Sequence, residues 1–534
     1  MDIYTRTAFR FAAIVAIGGF IFGLDAALIS GTVRFIVEEF GLNDLQLGTV
    51  VSAPGFGVLF ALVVAGPICE KIGRKKTLLI ISTLYFISAL WSGLAASYQS
   101  LVLARFLGGL AFASLSLASM YIGEIAPASI RGKLVSMNQI LIVIGLSGAY
   151  FSNYALVQSL APGASTLSIL GNDIAIWRVM LEVETLPALI WLLLIFTIPE
   201  SPRWLISVNR VEEARSVLSR LLPSSEVEPQ IAAIEASLQH GKHTHQSIWK
   251  RLSDLCDKNV RRAMLIGFIF ACVQPITGVN AILFYAPMVF EQTGIGTGAA
   301  YLQSLILGVV SLVFTIGALV LIDRVGRRPL VVGGLIASVG CLMLCWWAFS
   351  QATYELDAAA IAELGSAIPD ISVGALSSLQ NLTIDSDIAY KQELVTVLGE
   401  ELAKKHESAL IQAAVDINVT AVLVGIIGFI AAFHISIGPI MWVVFSEVVP
   451  VHIRGLAIPM FAFTTSLISY FVQKLFPWQL NNLGAAEIFL FYGVAGFVGL
   501  LMLYFVLPET KNKTIEEIED LLSANSAHTK AQRT

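Results

Sequence analysis

Charge is scarce in this chain. Asp, Glu, Lys and Arg make up 13% of its 534 residues, about half of what a soluble domain carries, which excludes a soluble protein. The formal net charge of −5 is small for this length and gives no argument for a nucleic-acid partner. Cysteines are few: Cys69, Cys256, Cys272, Cys341 and Cys345. An odd number, placed in or beside apolar runs or in a charged loop, is neither a disulfide framework nor a zinc pattern. No metal cluster, nucleophile–base pair or phosphate loop stands out, which argues against a membrane enzyme, and no bound cofactor is implied. The first apolar run follows Arg6 and Arg10, as a signal peptide would, but no small-residue cleavage site comes after it. We read it as a retained helix.

What the chain has is hydrocarbon. Hydrophobic residues make up 56%, and the mean hydropathy is +0.78. Apolar runs of about 20 residues read as membrane spans. Twelve are expected, at 11–33, 46–69, 77–97, 101–124, 134–157, 180–198, 263–288, 301–322, 330–350, 418–446, 456–477 and 485–507. With both termini in the cytoplasm, 26 of the 33 lysines and arginines fall in inner segments, which fixes the orientation by the positive-inside rule. The expected fold is an all-α membrane protein of two six-helix bundles, 1–198 and 263–507. A cytoplasmic helical linker, 199–262, joins them. An external insertion, 351–416, holds 11 Asp or Glu against 3 Lys and the glycosylation sequon at Asn381. A cytoplasmic tail, 508–534, ends the chain.

The halves repeat. Glu124 to Gly132 (EIAPASIRG) returns as Glu447 to Gly455 (EVVPVHIRG), and Gly73-Arg-Lys-Lys returns as Gly326-Arg-Arg-Pro. Pro199-Glu-Ser returns as Pro508-Glu-Thr. Two like-oriented repeats are the layout of a transporter that rocks one half against the other. Inside the first span stands a single charge, Asp25. A carboxylate at that depth costs about 3 kcal/mol on insertion scales and so points to function. Arg105 is the candidate partner: it lies about four residues into a span that enters from outside. Asp25 lies about eight residues before the outer end of its own, an axial offset of about 6 Å at 1.5 Å per residue.

The ordered set of motifs resembles the sugar porter family of the major facilitator superfamily, and bacterial proton-coupled pentose and hexose symporters within it. The residues that carry the resemblance are Gly73-Arg-Lys-Lys, Asp323-Arg-Val-Gly-Arg-Arg and the two Glu-to-Arg repeats. Pro199-Glu-Ser-Pro-Arg-Trp-Leu, Gln274…Gly278-Val-Asn280, Gly438-Pro439…Trp442 and Pro508-Glu-Thr-Lys complete the set. The resemblance implies a cytoplasmic gate of ion pairs among Glu70, Glu124, Glu200, Glu447 and Asp323 against Arg74, Arg131, Arg203, Arg327 and Arg454. It implies sugar contacts at Gln139, Gln274, Asn280, Gly438 and Trp442, with Phe22 as an aromatic wall. Amides suit hydroxyls because they both donate and accept. Pro275 and Gly278 are expected to break the seventh span and let Gln274 and Asn280 face one cavity. Glu184 matches a carboxylate of proton-coupled relatives. The chain also departs from the family. Pro275 replaces a glutamine, Phe284 stands where tyrosine is frequent, and Thr465 and Ser466 replace an amide and a tryptophan. Ser436, Thr464 and Ser469 are candidate compensating hydroxyls.

The expected function is import of a monosaccharide together with a proton. An uncoupled facilitator of sugar or an inositol-like polyol and a transporter-like sensor are the alternatives. Asp25 argues against the first, and a tail of 27 residues after Leu507 against the second.

Overall fold

The structure, a computed structural model, describes residues 3–127, 130–161, 164–169, 171–242, 255, 257, 260–368, 370–450 and 453–522. Cys256 and the end of the tail lie outside them. Among the described residues, eleven helices are long and apolar enough to cross a membrane. The sixth span completes the twelve in two short pieces, Ile176–Glu182 and Thr185–Ile195. The spans alternate in direction. The start of the first span, the linker and the tail therefore share one face, here the terminus face. The 351–416 segment lies on the other, the insertion face.

The first span, Ile3–Phe40, is 38 residues long, about 57 Å of helix. That exceeds a hydrocarbon core of about 30 Å, so both its ends project, and the helix outruns the apolar run 11–33 that marks it in the sequence. It packs along the fifth span, Arg131–Gln158. Glycines set the closeness of that contact. A Cβ on Gly23 would meet the carbonyl oxygen of Ile142, and one on Gly145 would meet that of Phe20. Without a hydrophobic drive between helices in lipid, such backbone approach is the main source of attraction.

Four spans are broken. The fourth runs as Tyr98–Ala111 and Ser114–Ile125. The seventh runs as Arg261–Ile276 and Val279–Phe284, with Pro275 and a left-handed Gly278 (φ 83°) at the junction; a short helix, Ala286–Glu291, follows. The tenth breaks at Ser436, between Val419–Ile435 and Ile437–Val448. In the sixth the break falls at Val183 and Glu184. Each break frees backbone groups at depth, which is tolerated where protein or a cavity surrounds them.

The linker helices Pro202–Ser207 and Val211–Leu218 pack on the first half, burying Leu205, Ala214, Val217 and Leu218 in one cluster with Ala8 and Phe11. The tail helix Ile515–Leu522 does the same for the second half, burying Ile518 and Leu522. The insertion folds around its own core, which includes Leu356, Leu376, Tyr390 and Leu410. Its entry and exit strands, Thr353–Tyr354 and Val415–Asp416, pair with each other and close it as a module.

If backbone approach holds the first and fifth spans together, Gly23→Val and Gly145→Val should each destabilise the protein by about 1–3 kcal/mol. Thermal melting in detergent should report lower midpoints for both. Unchanged midpoints would show that the close approach carries no stability.

Candidate functional site

Asp25 and Arg105 meet. The Arg105 guanidinium donates through Nη1 to Asp25 Oδ1. Both are sealed from solvent, at 5% and 2% exposure. Glu184, at the break of the sixth span, faces the same pair, its carboxyl within interaction range of both Asp25 and Arg105. Aromatic rings wall the cluster. Phe22 packs edge-on to Phe112, their ring centroids 4.6 Å apart. Tyr85 lies 6.0 Å from Phe112 and 5.8 Å from Trp191. Trp191 is held by its Nε1–H donating to Ile14 O at 2.9 Å. Asp25 Oδ2 and Arg105 Nε and Nη2 have no protein partner. Two carboxyls thus face one guanidinium, and the cluster is neutral when one of them holds a proton. In a bundle with this little charge, a shared proton is the simplest way to balance it.

The amides lie in two places. Gln139 is half-buried in the fifth span, beside a buried Asn138 whose Oδ1 has no partner. Gln274 is half-buried before the seventh-span break, and its Oε1 is also unpaired. Asn280, after the break, donates Nδ2 to Ser469 Oγ at 2.6 Å. The same hydroxyl takes Gln473 Nε2 at 2.8 Å. Thr465 Oγ1 donates to Ala271 O at 3.2 Å. Ser466 and Phe284 are half-buried nearby, on the eleventh span, Arg454–Asn482, and the seventh. On the tenth span, Gly438 sits against Phe433, and Ser436 hydrogen-bonds its own helix at Ala432 O. Trp442 is 46% exposed and edge-on to Phe445. Ser469 and Gln473 thus join the second-half polar cluster. Ser469 was legible only as one of several hydroxyls, and Gln473 sits late enough in its span to read as a rim residue.

The gate residues form two separate networks, one in each half. Arg74 grips Glu124 with two bonds, 2.9 and 3.0 Å, and Ser201 Oγ donates to the same carboxylate. Glu200 accepts from the backbone N–H of Arg74 and Lys75 at the start of the third span, Arg74–Gly93. In the second half Arg327 grips Glu447 at 2.8 Å, and Thr510 Oγ1 donates to it at 2.6 Å. Glu509 accepts from the N–H of Arg327 and Arg328, at the start of the ninth span, Arg327–Ser350. Asp323 pairs with Arg327 at 3.2 Å but is mostly exposed. Glu200 and Glu509 each satisfy orphan donors at a helix start, where a negative charge complements the dipole. The turns entering these helices need glycine, since Gly73 and Gly326 sit at φ 95° and 103°. Glu509 is the symmetry mate of Glu200, and the repeat of Pro-Glu-Ser as Pro-Glu-Thr was the signal for it.

Among the described residues, four of the expected gate residues make no ion pair. Glu70 is exposed and contributes its backbone carbonyl, to Trp204 Nε1–H at 2.9 Å, rather than its carboxylate. Arg131 and Arg454 turn back on carbonyls five residues earlier, Ala126 O and Val449 O. Arg203 is exposed and reaches Ser237 Oγ at 3.5 Å.

The match to known proteins spans nearly the whole chain. Residues 11–364 and 401–522 fit the model of the family described as sugar (and other) transporter. The chain belongs to this family. It is therefore a multi-pass membrane transporter of the major facilitator superfamily and not an enzyme. The D-xylose-proton symporter of Escherichia coli K12 is 30% identical over 98% of both chains. The arabinose-proton symporter of Bacillus subtilis is 29% identical over 95% of this chain and 93% of that one. Among solved structures, the inward open conformation of the xylose transporter XylE from E. coli superposes with a TM-score of 0.71. It is 28% identical, covering 96% of this chain and 99% of that one. The family match skips 365–400, inside the inserted module.

In this sugar transporter family member the two halves are joined on one side. Ser147 donates to Gly308 O at 2.7 Å and Tyr150 to Leu283 O at 2.6 Å. Tyr301 donates to Gly31 O at 2.5 Å, and Arg34 to Thr297 Oγ1 at 2.8 Å. Asn481 donates to Asp44 and accepts from Lys391 of the module. Lys391 also pairs with Glu407 at 2.8 Å. Burial raises Glu291 above the usual carboxylate range while the nearby Arg34 opposes that. All these contacts run from mid-depth to the insertion face. Among the described residues, no hydrogen bond or ion pair joins the halves at the terminus face. The terminus-side pieces Ser114–Ile125 and Ile437–Val448 pack within their own bundles.

Tyr301→Phe should loosen the joined side. Losing one buried hydrogen bond is worth about 1 kcal/mol, roughly fivefold in a two-state equilibrium. A Thr32→Cys reporter in a background without native cysteines should react faster with a thiol reagent applied from the insertion side. Equal or slower reaction would show that the bond does not hold this face shut.

Proposed function

We propose that the protein imports a pentose or hexose together with a proton by alternating access. The observation that carries this is the buried cluster of Asp25, Arg105 and Glu184, two carboxyls on one guanidinium with unpaired polar atoms. An uncoupled carrier has no need of such a cluster. The arabinose and xylose relatives are proton symporters by name, which supports the same reading. The terminus face is cytoplasmic on this reading, and the membrane is that of the cell. The conformation described, joined at the insertion face, is then open to the cytoplasm.

The physical cycle runs on charge balance. With the cavity open outward, a proton reaches the cluster, neutralises a carboxyl and weakens its hold on Arg105. Sugar closes the neutral form. Once open inward, the cluster releases its proton and re-forms the pair seen here. A proton entering at −100 mV carries about 2.3 kcal/mol, and each pH unit adds about 1.4. Together these support an accumulation of several hundred-fold. The sugar lies between the half-buried Gln139 and the group of Gln274, Asn280, Phe284, Thr465 and Ser466. Asn280 exchanges Ser469 for a sugar hydroxyl when the site fills. Phe22 links the two functions, since it lines this space and touches the wall of the proton cluster through Phe112.

Asp25→Asn fixes the neutral state. It should bind sugar and exchange it across proteoliposomes but fail to accumulate it when a proton gradient is imposed. Proton-driven accumulation at the wild-type level in this variant would end the assignment. Gln274→Ala should leave sugar hydroxyls unpaired and cost about 1–3 kcal/mol, roughly five- to a hundred-fold in affinity, with melting unchanged. Wild-type affinity by calorimetry would remove Gln274 from the site.

A further inference from the structure

A cavity of about 460 Å³ opens on the terminus face. Its walls come from three parts of the chain: the start of the first span, the end of the sixth and the linker. Arg10 and Arg220 line it together with the hydroxyl groups of Tyr4, Thr7, Thr197 and Ser219. Among the described residues, no Asp or Glu lines it. That sets Arg220 apart from its neighbours on the linker: Arg210 pairs with Glu213 and Arg215 with Glu212 and Glu228. Among the described residues neither Arg10 nor Arg220 has an ion pair. Two guanidiniums in one concavity without a counter-charge repel each other, and an anion relieves that repulsion. The planar donor fork of arginine matches a phosphate oxygen pair. Thr7, Thr197 and Ser219 each donate to a carbonyl of their own helix, so the guanidiniums and the half-buried Tyr4 hydroxyl are the free donors. The volume falls within the range of small-ligand sites.

We propose that this cavity binds a phosphate-bearing anion, either a soluble phosphate or the phosphodiester headgroup of an acidic lipid. Bound there, the anion ties the linker to the first span, the helix that carries Asp25. The test uses the full-length chain in two arms. In detergent, thermal melting is followed as inorganic phosphate and then glycerol 3-phosphate is titrated. In mixed micelles of phosphatidylglycerol and phosphatidylcholine, native mass spectrometry counts the phosphatidylglycerol retained. Arg10→Gln and Arg220→Gln are compared with Lys133→Gln, which removes the same charge from the same face outside the cavity. Saturable stabilisation by the soluble phosphates, weakened about tenfold or more in both arginine variants and kept in Lys133→Gln, establishes a soluble ligand. Phosphatidylglycerol retention lost in both arginine variants alone establishes the lipid. If wild type and the arginine variants behave alike in both arms, or Lys133→Gln loses as much as they do, the site does not exist.

Discussion

The fold is built around an ion pair that hydrocarbon cannot hold unless it is nearly complete. Removing Arg105 would leave two carboxyls facing each other among aromatic rings, at a cost of about 3–5 kcal/mol, and removing Asp25 would leave the guanidinium with Glu184 alone. Each is therefore a condition for the other's burial. Several features of the first half serve this pair. The first span is pressed against the fifth at Gly23 and Gly145, which fixes the rotation of the helix that carries Asp25. The fourth span delivers Arg105. The sixth span breaks at Val183 and Glu184, where Pro187 cannot supply the helical donor to Val183 O, and Glu184 stands beside the pair. The pair is buried with polar atoms unpaired on both partners, and our proposal of proton coupling rests on that incompleteness.

At the terminus face the physics differs. The carboxylates there are half-buried and grip arginines that have backbone carbonyls as second partners. Each network closes on itself: Arg74, Glu124, Glu200 and Ser201 in one half, and Arg327, Glu447, Glu509 and Thr510 in the other. Such clusters make each bundle rigid at its base, and rigid bundles can rock without deforming. Arg131 and Arg454 stand outside both networks, held by weak bonds to nearby carbonyls. Their bonds, 3.0 to 3.3 Å to neutral oxygens, are weaker than the carboxylate pairs that hold Arg74 and Arg327.

Much of this was legible in the sequence. Twelve apolar runs and the doubled motifs point to the fold because hydrocarbon length and repetition leave few alternatives. Helix rise and span ends put Asp25 and Arg105 at similar depth and made Arg105 the candidate partner, and the structure brings the two together. Other features were hidden for identifiable reasons. The break of the sixth span is signalled only by Pro187, which has no N–H for the carbonyl of Val183, and a lone proline in an apolar run does not by itself fix where a helix parts. Glu70 was read as a gate acid from its place before Gly73-Arg-Lys-Lys, where the family usually has Asp, but it is exposed and uses its backbone carbonyl instead. The positions of Arg131 and Arg454 depend on which face is shut, a property of a state and not of a sequence. The insertion reads as an acidic loop because its apolar residues are spread over short helices, yet they converge on one core around Leu410 and Tyr390.

The module bears on how the halves move. It is covalently part of the second half, yet Asn481, which it holds through Lys391, also reaches Asp44 at the start of the second span, Asp44–Ile72. Opening the insertion side breaks the Asn481–Asp44 bond while Lys391 keeps Glu407 as a partner. The charged groups of the module are thus satisfied in both states, and the cost of opening falls on a few neutral or weakly exposed bonds, each worth about 1 kcal/mol. A handful of these sets a barrier between the two states of a few kcal/mol, the scale that one proton crossing the membrane can offset. The strong interactions lie within the halves and the weak ones between them, and that partition lets a rigid protein alternate.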